Sequence, residues 1–219
     1  KRFPDLLIIT DLCLCQYTSH GHCGLIRKGE IENDKTLDSY QRIALSHAKS
    51  GSDVIAPSGM MDGQVKAIRH ALDNNGFKEI PIMSYGAKHA SSLYGPFRQV
   101  SLSSPLEGTR KRYQIDPSNK RMSLNQLETD ISEGADIVII KPALAYLDIV
   151  KEASSRFNCP IAAYNVSGEY SMVKAAVGKG WISEKDVVLE LLTGIKRSGA
   201  DIIISYHTKD VAGWILNGS

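Results

Sequence analysis

Glu133-Gly134-Ala135-Asp136-Ile137-Val138-Ile139-Ile140-Lys141-Pro142 joins the end of one periodic segment to an unbroken β-branched run. The same junction recurs at Ser50-Gly51-Ser52-Asp53-Val54-Ile55 and at Ser198-Gly199-Ala200-Asp201-Ile202-Ile203-Ile204. A glycine just past a helix adopts the left-handed conformation that other residues resist, so each junction reads as a helix stop. A run that is apolar at every position reads as a parallel strand covered on both faces. Helix, glycine and buried strand, met three times, define an α/β chain built of βα units.

Working outward, further strands are expected at residues 6–10, 80–84 and 160–164. Between them lie helical patterns. Residues 36–49 place Leu37, Tyr40, Ala44 and Ala48 on one face, and Val65, Ile68 and Leu72 mark the next helix. Ser123-Leu124-Asn125-Gln126 has the form of a capping box ahead of Leu127 and Ile131. Helices are also expected over residues 147–155 and 170–176, and from Ser183 with Val187, Leu191 and Ile195 buried. About six βα units follow without a linker, which suits a doubly wound sheet or most of a (βα)8 TIM barrel. No G-x-G-x-x-G follows a strand, which weighs against dinucleotide binding. A barrel typically takes about 250 residues. Residues 1–219 therefore read as one barrel domain whose first strands lie upstream of a segment that opens within a strand pattern.

The composition narrows the function classes. Hydrophobic residues make up 42% and charged residues 23%, with a net charge of +2, which argues against a nucleic-acid partner or a polybasic membrane surface. No run approaches the roughly 18 apolar residues of a membrane span. The opening Lys-Arg-Phe-Pro-Asp is neither an initiator methionine nor a secretory signal. Clustered cysteines without a disulfide-like distribution fit a reducing, cytoplasmic setting, and Cys159 before Pro160 reads as a small buried hydrophobe.

Reactive residues recur where the strands end, and a barrel collects such positions on one rim. Asp11-Leu-Cys13-Leu-Cys15-Gln-Tyr-Thr-Ser-His20-Gly-His22-Cys23 offers three thiolate ligands, one short of the closed shell of a structural zinc site. That points to a catalytic metal with an open position. The alternatives are a metal-free reduced cluster or an incidental disulfide, and His20 and His22 are either extra ligands or ordinary loop histidines. Lys141 follows four β-branched residues, so its ammonium is expected over an apolar barrel interior. Desolvation and a second cation, Lys88, would lower its pKa and free the amine for a Schiff base; the alternative is a lysine that snorkels to solvent. From Arg98 to Arg121 periodicity is lost, as in a lid or binding loop. There Arg98, Arg110, Lys111, Arg112, Lys120 and Arg121 outweigh Glu107 and Asp116 by four charges. An anionic small substrate under a basic lid is one reading and a solvated surface loop the other.

Five stretches, in order, resemble the δ-aminolevulinic acid dehydratase (porphobilinogen synthase) family. They are the cysteine loop from Asp11 to Gly24; Ala56-Pro57-Ser58 with Met60-Met61-Asp62-Gly63; Ala87-Lys88 through Tyr94-Gly95-Pro96-Phe97-Arg98; Lys141-Pro142-Ala143-Leu144-Ala145-Tyr146-Leu147-Asp148; and Val166-Ser167-Gly168-Glu169-Tyr170. The resemblance runs from Asp5 to about Trp214. It implies a (βα)8 barrel that condenses two 5-aminolevulinate molecules to porphobilinogen, with Zn2+ held by Cys13, Cys15 and Cys23. By the same resemblance Lys141 forms the imine with the first substrate and Lys88 serves the second. Ser167 and Tyr206 hold the first carboxylate, and Arg98, Arg110 and Gln114 receive the second. Asp11, Ser58 and Tyr164 line the pocket.

Two positions depart from the family pattern. Gly59 stands where an aspartate is usual, and Gln126 where relatives with an allosteric magnesium carry glutamate, so no such site is expected. The resemblance also implies a homo-octamer built with an N-terminal arm, which this segment lacks. A class I aldolase-type lyase would explain Lys141 but leave Lys88 and the cysteines without roles. A non-enzymatic metal-binding barrel fragment is the remaining alternative.

Overall fold

Each of the three glycine junctions closes a helix and opens a strand in the computed structural model, which describes residues 3–106, 108–216 and 218. Gly51, Gly134 and Gly199 have φ of +89°, +105° and +109°, the left-handed conformation expected of them. The aspartate two residues on has a role of its own. Asp136 donates its amide to Ile82 O, and its carboxylate accepts from Ile82 N at 2.8 Å. Asp53 does the same with Ile8 and Asp201 with Ile161. Each repeat thus clamps its new strand to the start of a neighbour with a reciprocal pair of bonds.

The chain runs β1 (Ile9–Leu12), the short hairpin β2 (Ile26–Arg27) and β3 (Glu30–Ile31), α1 (Asn33–Lys49), β4 (Val54–Pro57), α2 (Gln64–Asn74) and β5 (Met83–Lys88). It continues with α3 (Gly95–Val100), α4 (Lys120–Ser132), β6 (Ile137–Lys141), α5 (Leu147–Arg156), β7 (Ile161–Asn165), α6 (Ser167–Gly178), α7 (Glu184–Arg197), β8 (Ile202–Ser205) and α8 (Thr208–Leu216). Strand β1 pairs in parallel with β4, and β5, β6, β7 and β8 form a parallel ladder in that order. An Ile55–Ile82 bridge joins the two sets. Six parallel strands therefore follow chain order around one arc, and among the described residues β1 and β8 each pair on one side only. Sequential order without reversal is the barrel arrangement and not the doubly wound one.

The strands divide their side chains between two cores. Val54, Ala56, Met83, Tyr85, Ile139 and Ala162 pack inside the arc, joined by Ile137, Tyr164, Ile202 and Ile204. Leu12, Ile55, Val138, Ile140, Ile161 and Ala163 face the helices instead, against Tyr40, Ile68, Leu72, Leu127 and Val150.

Five expectations change, one of them the strand read at residues 80–84, which runs instead from Met83 to Lys88. Leu6, Leu7 and Ile8 lie before β1, whose pairing with β4 starts at Ile9, and they are exposed. Ser123 does not cap α4: the helix starts a turn earlier, where the Asn119 side chain accepts from Met122 N. Ser123 lies buried within the helix, its hydroxyl 2.8 Å from His89 Nε2. The buried face of α7 carries Val188 and Ile195, while Val187 and Leu191 are half-buried. Cys159 is half-buried rather than buried. No helix among the described residues is long and apolar enough to cross a membrane.

Candidate active site and metal centre

Period-two alternation sends a row of side chains inward from every strand, and the last member of each row reaches the same rim. Ile137, Ile139 and Lys141 form the row of β6; Ala162 and Tyr164 that of β7; Ile202, Ile204 and then Tyr206 that of β8. Val54 and Ala56 lead to Ser58 at β4, and β1 contributes Asp11. In β5 a register shift between Ser84 and Ala87 breaks the alternation, so that Tyr85 and Lys88 both reach the interior, and Lys88 becomes the lateral partner of Lys141. A cavity of about 260 Å³ opens among these ends. Of the residues expected at the site, Asp11, Cys15, Ser58, Lys88, Arg110, Lys141, Tyr164, Ser167 and Tyr206 line it.

The two lysines differ in their surroundings. Lys88 is buried and its ammonium donates to Ser58 O. The Lys141 ammonium sits among aromatic rings, 4.1 Å from the centre of Tyr164, 5.2 Å from Tyr85, 5.4 Å from Tyr94 and 5.9 Å from Phe97. Burial, and then the charge of Lys88, lower its pKa to about 7. The backbone beneath it is tied down as well: Lys141 O accepts from His89 N at 2.9 Å and from Tyr94 Oη at 3.1 Å. His89 stacks on Tyr146 with ring centres 3.8 Å apart.

Behind the amines lie Cys13, Cys15 and Cys23, all buried and free, with sulfur atoms within 4.8 Å of one another. Neither histidine nitrogen joins the group. His22 Nδ1 pairs with Tyr113 Oη at 3.2 Å, and His20 Nδ1 accepts from His22 N, in a wider hollow of about 700 Å³ beside the loop. Hydrogen bonds from the Cys13 and Cys15 thiols, reinforced by Lys88 and Arg110, hold the Cys23 thiol well below its ordinary pKa. Hydrogen bonding with Cys15, then with Cys23, and burial push the Cys13 thiol well above its own. Three buried, mutually close sulfurs without a disulfide suit a thiophilic metal ion.

The basic segment holds a short helix, α3, and a single turn at Arg110–Arg112; Glu107 lies outside the described residues. Arg110 Nη2 donates to Gly21 O at 2.7 Å and also to Ser103 O, fastening this segment to the cysteine loop. Arg98 and Gln114 do not reach the amine cavity but line an adjoining one of about 360 Å³ with Lys111 and Asp116. Arg98 Nε, Arg110 Nε and both amide atoms of Gln114 are buried without a protein partner among the described residues. Ser167 Oγ accepts from Phe97 N at 3.1 Å, tying α6 to the start of the same segment.

Several contributors were not identified from sequence. Tyr85, Tyr94 and Phe97 complete the ring of aromatics, yet a strand irregularity and a short helix place them, and neither has a periodic signal. Tyr40 lies fully buried on α1 and donates to Cys23 O at 2.8 Å, supporting the cysteine loop from below. It also accounts for Gly59: a Cβ there would fall 1.7 Å from the Tyr40 hydroxyl.

Fold and site together define a β/α-barrel protein with paired buried amines beside a thiol cluster able to bind a metal. The family model described as delta-aminolevulinic acid dehydratase matches residues 1–214, and the chain belongs to that family. It is 54% identical over 215 residues to the delta-aminolevulinic acid dehydratase of Bacillus subtilis (strain 168), covering 98% of this chain and 66% of that protein. It is 57% identical over 210 residues to that of Archaeoglobus fulgidus, covering 96% of this chain and 65% of the relative. The crystal structure of the Toxoplasma gondii ME49 enzyme in complex with its reaction product porphobilinogen superposes with a TM-score of 0.98 at 45% identity, over all of this chain and 63% of that one. The chain thus spans just under two thirds of the length of these relatives, and over that span its fold is that of their barrel.

Proposed function

We propose that this chain carries the catalytic cavity of a porphobilinogen synthase, a hydro-lyase joining two 5-aminolevulinate molecules into porphobilinogen with net loss of two waters, in tetrapyrrole (heme) biosynthesis. The observation that carries the reading is Lys141: an amine in an aromatic enclosure, with a pKa near 7 and a second lysine on the adjacent strand. A neutral amine at neutral pH attacks the ketone of the first substrate, water leaves, and the imine holds that molecule in place. Lys88 receives the second substrate in the same way, and both amines are regenerated when the product leaves. An aldolase-type lyase would need Lys141 alone and gives the neighbouring lysine and sulfurs no task.

The remaining roles are those the family resemblance implies. Ser167 and Tyr206, at the mouth of the cavity, take the first substrate's carboxylate. By the same resemblance Arg98, Arg110 and Gln114 take the second; Arg110 lines the amine cavity while Arg98 and Gln114 line a separate one, and the buried unpaired atoms of all three support polar ligands there. Asp11, Ser58 and Tyr164 orient groups near the amines. Zn2+ is the ion we assign to Cys13, Cys15 and Cys23, and when bound it supplies Lewis-acid polarisation of a carbonyl or an activated water. Residues 1–219 form one catalytic unit, and closing its barrel calls for two more strands between β8 and β1. The free cysteines suit a cytoplasmic location.

The test uses sodium borohydride with 5-aminolevulinate, with and without prior chelation. A reduced adduct mapped to Lys141, and porphobilinogen formation lost on chelation and regained with zinc, are the expected results. Turnover without any adduct at Lys141 overturns the imine assignment, and undiminished turnover after complete chelation overturns the metal.

A further inference from the structure

Glu184, His207 and Asp210 meet where α6, α7 and α8 pack against the end of β8, and the donor atoms of the three lie within 4.8 Å of one another. Lys174 already presents a cation to them, bonding Glu184 and standing 3.6 Å from Asp210 Oδ2. That ammonium leaves the histidine unanswered. His207 is 2% exposed, and both of its ring nitrogens are buried without a hydrogen-bond partner among the described residues. The ring lies against Tyr170, centres 4.6 Å apart, which offers its nitrogens nothing. A buried polar group left unmatched calls for an explanation, and a ligand is one.

We infer that Glu184, His207 and Asp210 form a second metal site, suited to a divalent transition cation that accepts one imidazole and two carboxylates. Such an ion satisfies all three side chains, whereas the ammonium satisfies only two. The Lys174 side chain is 35% exposed and has a flexible stem, so it is free to turn outward and it competes with the metal. The ligands come from the first turn of α7, the residue following Tyr206 and the first turn of α8. A bound ion would therefore pin the start of α8 beside the cavity mouth. The site does not depend on the reaction assigned to the cavity.

Equilibrium dialysis of the intact protein against Co2+, with metal counted by mass spectrometry and the visible and near-ultraviolet spectrum recorded, tests the inference. One ion is expected with intense thiolate-to-cobalt charge transfer, from the cysteines, and a second without it. Lys174→Ala should tighten the second ion about tenfold by removing a competing like charge, a gain that misfolding does not mimic. His207→Phe should abolish the second ion and leave the thiolate-bound one. Absence of a second ion from both the wild type and Lys174→Ala overturns the site, as does its persistence in His207→Phe.

Discussion

Lys141 was legible in the sequence as the terminus of a β-branched run, and its inward direction follows from strand alternation, while the rings of Tyr85, Tyr94 and Phe97 around it do not. What the sequence did not disclose is why Lys88 stands beside it: the register shift in β5 cannot be read from Met83-Ser84-Tyr85-Gly86-Ala87-Lys88. The pairing has a measurable sign. Burial and the Lys88 charge both favour the neutral amine of Lys141, so borohydride trapping of substrate should accelerate as pH rises through about 7. Lys88→Met removes the second cause and leaves the first, and the midpoint should move upward; an unmoved midpoint would exclude the Lys88 charge. Gly59 makes a second case. Its departure from the family's aspartate looks like a lost polar contact until the Tyr40 hydroxyl is found in the same space. Gly59→Asp should cost about 1–3 kcal/mol through overpacking, seen as a lower denaturation midpoint. Combined with Tyr40→Leu, the loss should be smaller than the sum of the two single changes, and strict additivity would refute the compensation.

At the scale of elements, the helix-stop glycines were readable because one local conformation demands them. The aspartates of the same repeats were not, since their partners, Ile8, Ile82 and Ile161, lie at or just before the start of a different strand, far along the chain. Asp136→Ala takes away the carboxylate that accepts from Ile82 N and should destabilise the fold by about 1–3 kcal/mol. Asp136→Asn keeps an acceptor there and should lose less; equal losses in a chemical denaturation series would show that the clamp contributes nothing. The start of α4 illustrates the opposite difficulty. Ser123 and Asn119 are both competent caps, and the helix begins at the earlier one, freeing Ser123 to bond the histidine beneath Lys141. The sequence pattern predicts a start at the Ser123 capping box, whereas Asn119 caps the helix and Ser123 pairs with His89.

For the whole molecule, alternation of strands and helices announced an α/β chain compatible with a doubly wound sheet or a barrel, and the missing G-x-G-x-x-G weighs toward the barrel without fixing strand order. Strand order decides between them, and order is a property of non-local pairing. The arc also ranks its parts by protection. Strand β6 is bonded on both sides and fully covered at Val138, Ile139 and Ile140, while β1 and β8 have one lateral partner each among the described residues. In hydrogen exchange of this chain, amides of β6 should outlast those of β1 and β8, and equal protection would mean that the edges are covered. The cavity at the centre of this arc has one more property that bears on its proposed chemistry. Joining two identical molecules in one fixed order is favoured by a vessel that tells them apart. The hydrogen bond from Lys88 to Ser58 O supplies a difference of that kind: one amine is moored just past the end of β4, while among the described residues the other has only its rings for company. The difference between first and second arrival would then be written into the backbone before either reactant enters.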